Sequence, residues 1–162
     1  MTTVNELMTR DVASCGTSDR LSRAAQIMWE RDCGCVPVLD DERRVVGMIT
    51  DRDLCMAAYT SGRRLDEIAV REAMSATLYT CGPADPLEAV ERVMQTVHIR
   101  RLPVVDGSRH LVGLLSLNDI ARFGQYAFGM RCDGLASDAV ARTLASVGES
   151  RRPSGSEGAT QR

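Results

Sequence analysis

The segment Val36-Pro37-Val38-Leu39-Asp40, with Val46-Gly47-Met48-Ile49-Thr50-Asp51-Arg52-Asp53 behind it, returns later in the chain as Leu102-Pro103-Val104-Val105-Asp106 and Val112-Gly113-Leu114-Leu115-Ser116-Leu117-Asn118-Asp119. The offset is 66 residues, and at that offset Val4 meets Val70 and Leu54 meets Ile120 with no gap between them. Identical residues meet at Glu6, Met8, Cys15, Gly16, Asp19, Leu21, Met28, Pro37, Val38, Asp40, Arg43, Val46, Gly47 and Asp53. A supersecondary unit of this size seldom buries its apolar face alone, so the two copies are expected to pack on each other within one domain.

Each copy reads as strand, helix, strand, strand, helix. In the first, residues 4–8 are a lead-in turn or helix and residues 12–15 a short strand. Asp19 is placed as the N-cap of a helix whose Leu21, Ala24, Ala25 and Met28 share a face, and Trp29 falls off that stripe. Residues 35–39 and 45–49 form a hairpin around the polar turn Asp40-Asp41-Glu42-Arg43, and Thr50 opens a helix to about Tyr59. In the second copy Asp85-Pro86 supplies an N-cap with proline at the first helical position. There Leu87, Val90, Val93, Met94 and Val97 make the buried face, and residues 102–105 and 111–115 repeat the hairpin with Gly107 in its turn.

The repeat ends beyond Phe123. Residues 135–147 are expected to form an amphipathic helix on Leu135, Ala139, Val140, Leu144 and Val147, while residues 148–162 have almost nothing to bury and are expected to be disordered. The expected fold is therefore α/β (α+β), two pseudo-symmetric βαββα repeats packed through their sheets. The boundaries are 1–60 and 70–128 for the repeats, 61–69 for a connector, 129–147 for a helical extension and 148–162 for the tail.

A net charge of −2 without a basic stripe lacks the footprint of a nucleic-acid binder. Apolar runs are too short to span a membrane and no apolar signal segment opens the chain, so a cytoplasmic location is expected. There the six cysteines, Cys15, Cys33, Cys35, Cys55, Cys81 and Cys132, are expected to be reduced and mostly buried. Cys15 and Cys81 are related by the repeat and are placed to approach each other near its axis. Cys33-x-Cys35 is too short a pair to hold zinc without partners, and His98 and His110 read as surface histidines. No nucleophile with a base, Gly-x-Ser-x-Gly elbow or phosphate loop is present, so no catalytic residue is assigned.

Each copy holds three marks in order: a strand-helix start, an apolar-Pro-Val strand ending in Asp, and Gly-x-x-Thr/Ser-x-x-Asp. With Thr50-Asp51-Arg52-Asp53 in the first copy and Ile99-Arg100-Arg101-Leu102-Pro103-Val104 in the second, the chain resembles a tandem CBS-domain pair, the Bateman module, over residues 4–125. Stand-alone bacterial pairs of that family often have valine where Ile99 stands.

The resemblance implies a non-catalytic regulatory module that binds an adenosine-containing ligand in clefts between the two repeats and signals by conformational change to a protein target not identifiable from sequence. AMP, ADP, ATP, S-adenosylmethionine and NAD(H) all carry the adenosine; no cofactor is required. A disc-shaped homodimer is implied, with Trp29 either in its interface or partly buried in the monomer. Family pockets are composite. One would join Thr50 and Asp53 to Tyr79, Thr80, Arg101 and Pro103, and the other Ser116 and Asp119 to Ser14, Val36 and Pro37. A carboxylate such as Asp53 or Asp119 can accept from both ribose hydroxyls, and the Thr or Ser hydroxyl with the helix N-terminus suits a phosphate. Register puts Arg101 in the first pocket where the second has Cys35, which makes the pocket around Asp53 the better phosphate site.

Thr50-x-x-Asp53 and Ser116-x-x-Asp119 are also what plain helix capping looks like. That leaves two other readings open: a constitutive dimeric scaffold with vestigial pockets, and a cysteine-based redox or metal sensor.

Overall fold

The computed structural model describes residues 2–75 and 77–128, with the side chains of 124–128 excepted; the extension, the tail and Cys132 lie outside the described residues. The first copy runs α1 (Val4–Leu7), β1 (Cys15–Gly16), α2 (Leu21–Glu30), β2 (Cys35–Leu39), β3 (Val45–Thr50) and α3 (Asp51–Ser61). The second runs α4 (Val70–Ala73), α5 (Leu87–Val97), β4 (Arg101–Val105), β5 (Leu111–Ser116) and α6 (Leu117–Phe128). The expected order holds in both, with Cys81 bridging Val104 in parallel where the second copy would have its first strand.

In the first copy β1 pairs parallel with β2, and β2 antiparallel with β3 in the register Val36 to Ile49. β4 and β5 repeat that hairpin with Leu102 opposite Leu115. Two cores result. One gathers Leu21, Ala24, Ile27, Met28, Val36, Val38 and Ile49, the other Leu87, Val90, Met94, Leu102, Val104 and Leu115. On α2 it is Ile27 that completes the buried face, Ala25 being only half-buried; on α5, Val93 is 38% exposed.

The lead-in segments are exchanged between the copies. Val4 and Met8 belong to the second core, and Val70 to the first. Thr9 pairs antiparallel with Leu114 on β5, and Ser75 with Met48 on β3, so each sheet receives an edge from the other copy. The two repeats thus complete each other's cores.

This exchange corrects both helix starts. The N-cap residues are Arg20 and Pro86, not Asp19 and Asp85, and Pro86 precedes the first helical position. The carboxylates instead accept the N–H groups of Gly16 and Gly82, at 2.8 and 2.7 Å. The helical N–H groups need no side-chain cap, because the incoming backbone serves them: Leu21 donates to the Ile68 carbonyl at 2.9 Å and Leu87 to that of Thr2 at 3.0 Å. β1 is likewise shorter than the expected 12–15, pairing only at Cys15 and Gly16.

No helix among the described residues is long and apolar enough to cross a membrane. Trp29 is 88% exposed, which removes the alternative of burial within the monomer.

Candidate functional site

At the junction of β3 and α3, Thr50 caps the helix as its sequence suggests. Asp53 N–H donates to Thr50 Oγ1 at 3.2 Å, while the Thr50 N–H and hydroxyl donate to Asp53 Oδ2 at 2.9 and 2.7 Å. Ser116 and Asp119 reproduce the arrangement at the start of α6, at 3.2, 2.8 and 2.5 Å. Capping is therefore realised in both copies.

The copies differ in what the caps leave over. Asp53 Oδ1 accepts no hydrogen bond among the described residues, whereas Asp119 Oδ1 meets Arg122 Nη2 at 3.3 Å. The N-terminus of α3 has little to give a phosphate. Asp51 N–H donates to the Gly34 carbonyl at 3.2 Å, Arg52 N–H to Asp51 Oδ1 at 2.7 Å, and Asp53 N–H to Thr50. A helix end whose donors are occupied is a poor anion site, contrary to the sequence expectation.

Beside Thr50 lies a cavity of about 540 Å³ built from both copies. The first copy supplies Cys35, Met48 and Thr50; the second supplies Ser75, Thr77, Leu78 and Tyr79 from the stretch after α4, and Ile99, Arg100 and Arg101 from the approach to β4. The exchange makes this possible, since Ser75 N–H donates to the Met48 carbonyl at 2.9 Å and holds that wall against β3.

Arg100 and Arg101 form no ion pair among the described residues, and both line a cavity whose lining includes no carboxylate, the nearby Asp51 lying outside it. Arg101 reaches far into the first copy: a Cβ added to Gly34 would lie 3.7 Å from Arg101 Nη2 and 3.2 Å from Asp51 Oδ2. Burial pushes the Cys35 thiol up to about 11, with the Arg101 charge pulling the other way. Cys35 is a neutral thiol lining at physiological pH.

Of the residues expected in the first pocket, Thr50, Tyr79 and Arg101 come together here. Asp53 stands behind Thr50 through their hydrogen bonds. Thr80 lies instead in a shallow cleft with residues 81–85 and 105–107, and Pro103 is buried in β4, its carbonyl accepting Cys81 N–H at 3.1 Å. Of Ser14, Val36, Pro37, Ser116 and Asp119, all expected in the second pocket, none lines the Thr50 cavity. Ser14 opens into a different cleft, Val36 is fully buried and Pro37 is buried, and Ser116 and Asp119 remain a cap.

Sequence reasoning placed Cys35 in the other pocket, assigned Arg100 to neither, and left out Met48, Ser75, Thr77, Leu78 and Ile99. Ile99 and Arg100 stood beside Arg101 in the same motif, but Ser75 and Met48 become neighbours only through the exchange.

The described cysteines do not gather into a second site. Cys15 and Cys81 sit in separate cores, each thiol facing its own copy's proline carbonyl at 3.9 and 4.0 Å, so they do not meet at the axis. Burial pushes Cys15 up to about 11 and Cys81 up to about 12. The described cysteines are free thiols, and no cluster of three or more potential metal ligands occurs among the described residues.

A family model of the CBS domain matches twice, over residues 4–59 and 70–126, the same two units that the 66-residue register and the paired hairpins define. The chain belongs to the CBS-domain family. As a tandem CBS pair it is 35% identical over 121 residues to the CBS domain-containing protein YhcV of Bacillus subtilis, covering 75% of this chain and 84% of that one. It is 33% identical over 122 residues to Hypoxic response protein 1 of Mycobacterium tuberculosis, covering 75% and 85%. The crystal structure of Hypoxic Response Protein I, which has two coordinated zinc ions, superposes with a TM-score of 0.68 at 31% identity, over 75% of this chain and 98% of that one. CBSX2, crystallised in complex with AMP, superposes with a TM-score of 0.69 at 25% identity, over 78% and 98%.

Proposed function

We propose that this CBS pair is a non-catalytic regulatory module that binds an adenosine-containing ligand in the cavity between Thr50 and Arg101 and passes the occupied state to a protein target. The observation that carries the reading is the cavity wall itself, drawn from both copies, with two guanidinium groups lacking ion-pair partners. Such a cavity favours a phosphorylated ligand. S-adenosylmethionine would bring its sulfonium cation against two like charges, whereas AMP brings a phosphate that an Arg fork matches. AMP seen in the related CBSX2 structure agrees with this choice. The ribose would meet Asp53 Oδ1, the oxygen left over by the cap, and the base the apolar side made by Met48, Leu78 and Ile99. Because both copies touch the ligand, binding need only favour one arrangement of the halves to signal.

The test is a thermal-shift titration of the full chain with AMP and S-adenosylmethionine. At about a hundred times its dissociation constant AMP is expected to add about 2.7 kcal/mol, a rise in midpoint of roughly 5–10 °C. Arg101→Ala and Thr50→Ala/Asp53→Ala are expected to abolish the shift, each compared with its own ligand-free midpoint because removing the cap alone costs about 1 kcal/mol. Ser116→Ala/Asp119→Ala is expected to keep it. A shift that survives Arg101→Ala, or one given by S-adenosylmethionine and not by AMP, overturns the assignment.

The same reading includes a homodimer. Trp29 on α2, with Met56 and Tyr59 on the adjoining α3, stand 88%, 46% and 82% exposed, a large apolar outlay for a face left in water. Trp29→Lys/Tyr59→Lys is expected to halve the mass seen by light scattering. A wild-type protein already monomeric at tens of micromolar would remove the dimer from the proposal.

A further inference from the structure

The turns of the two hairpins meet at a place distinct from the Thr50 cavity. Val45 N–H donates to the Arg109 carbonyl at 3.0 Å, and Arg44 pairs antiparallel with His110. Beside this junction opens a cleft of about 420 Å³, lined by Val12, Ser14, Leu39, Arg43, His110 and Leu111. The lining combines the polar Ser14, Arg43 and His110 with the apolar Val12, Leu39 and Leu111.

Four basic residues belong to this junction, of which Arg43 and His110 line the cleft, and they are not equally compensated. Arg44 is held by Asp40 and Glu42, each at 2.8 Å, and His110 Nδ1 lies 3.4 Å from Asp106. Arg43 and Arg109 have no ion-pair partner among the described residues. They are also the repeat-related pair, and both sit in the left-handed region, at φ 64° and 68°. Glycine fills such a turn position without strain, and the chain uses it at Gly62 with φ 65°. At the hairpin turns it twice carries an arginine instead. Strain retained at a charged, cleft-lining position points to a use for the side chain.

We propose that this cleft binds a small organic phosphate. Its anionic end meets the Arg43 guanidinium, the His110 ring and the Ser14 hydroxyl, with Arg109 adding to the local positive field. Its apolar body lies on Val12, Leu39 and Leu111. The guanidinium fork matches phosphate oxygens, and the apolar wall distinguishes an organic phosphate from the free ion. The site goes beyond the nucleotide reading and does not rest on it.

The experiment follows backbone amide NMR shifts of the full chain during titration with phenyl phosphate and, separately, with inorganic phosphate. Saturating shifts are expected at Ser14, Arg43 and His110, with phenyl phosphate binding the tighter of the two. Arg43→Gly suits the turn backbone and keeps the fold, so its midpoint should not fall, while affinity drops by roughly tenfold or more. Arg101→Ala should leave the binding unchanged. Shifts centred on Thr50 and Arg101, affinity unaltered in Arg43→Gly, or inorganic phosphate binding as tightly as phenyl phosphate would each overturn the proposal.

Discussion

Gly47→Val is expected to destabilise the protein by about 2–4 kcal/mol and to abolish AMP binding as well. A Cβ on Gly47 would lie 2.9 Å from Met74 Sδ and 3.0 Å from the Ser75 carbonyl oxygen. The thioether could swing aside, but the carbonyl belongs to backbone that is itself tied to β3 by the Ser75 N–H to Met48 bond of 2.9 Å. A branched side chain must therefore push the whole segment off the strand. That segment continues into Thr77, Leu78 and Tyr79, one wall of the cavity. Gly113→Val is the control, because its added Cβ meets Met8 Sδ at 2.7 Å and the Thr9 carbonyl at 3.0 Å on the other copy's sheet. It should cost similar stability yet leave the Thr50 cavity and its AMP response intact. Urea unfolding gives the first quantity and thermal shift with AMP the second. Wild-type stability in Gly47→Val would mean that the exchanged segment does not press on β3, and retained AMP binding would mean that this wall is not part of the site.

The contrast between those two glycines also marks where sequence stops being informative. Both hairpins were legible because alternation, the prolines and the Asp-ending turn are local signals, and the 66-residue register repeated them. Thr50 and Ser116 were legible as caps for the same reason. Asp19 and Asp85 looked equally good as caps, yet the donors they were meant to serve are taken by carbonyls of residues far along the chain, such as Ile68 for Leu21. Nothing local encodes that. With two nearly identical cores available, the sequence does not say in which of them Val4 packs, and the answer decides which residues line the cavity. Tyr79 and Arg101 were reached through the register; Met48 and Ser75 were not, since they are neighbours only once the lead-ins have crossed over. The cap geometry had a similar blind spot: spacing shows that Asp53 can face Thr50, but only the folded structure shows that one carboxylate oxygen is left over in the first copy and engaged by Arg122 in the second.

The crossing-over makes a further prediction, that a charge introduced at Val4 will loosen the second copy before the first. Val4 is fully buried among Met8, Leu102, Leu115 and Ile120, and its N–H donates to the Asp85 carbonyl at 3.1 Å. Val4→Asp puts a carboxylate in that apolar core, a penalty of about 3–5 kcal/mol against a total stability of about 5–15 kcal/mol. Undocking of α1 relieves it most cheaply, because only the contacts of the first nine residues are lost. Amide exchange should then accelerate at Leu102, Val104 and Leu115 while Val36, Val38 and Ile49 stay protected. Val70→Asp should reverse the pattern, since Val70 packs with the first core. Two charges placed at equivalent positions of a repeat would thus each damage the other copy. If each instead loosened the copy in which it lies, the lead-ins would not be exchanged, and the Thr50 cavity, which depends on Ser75 reaching β3, would have to be assembled some other way.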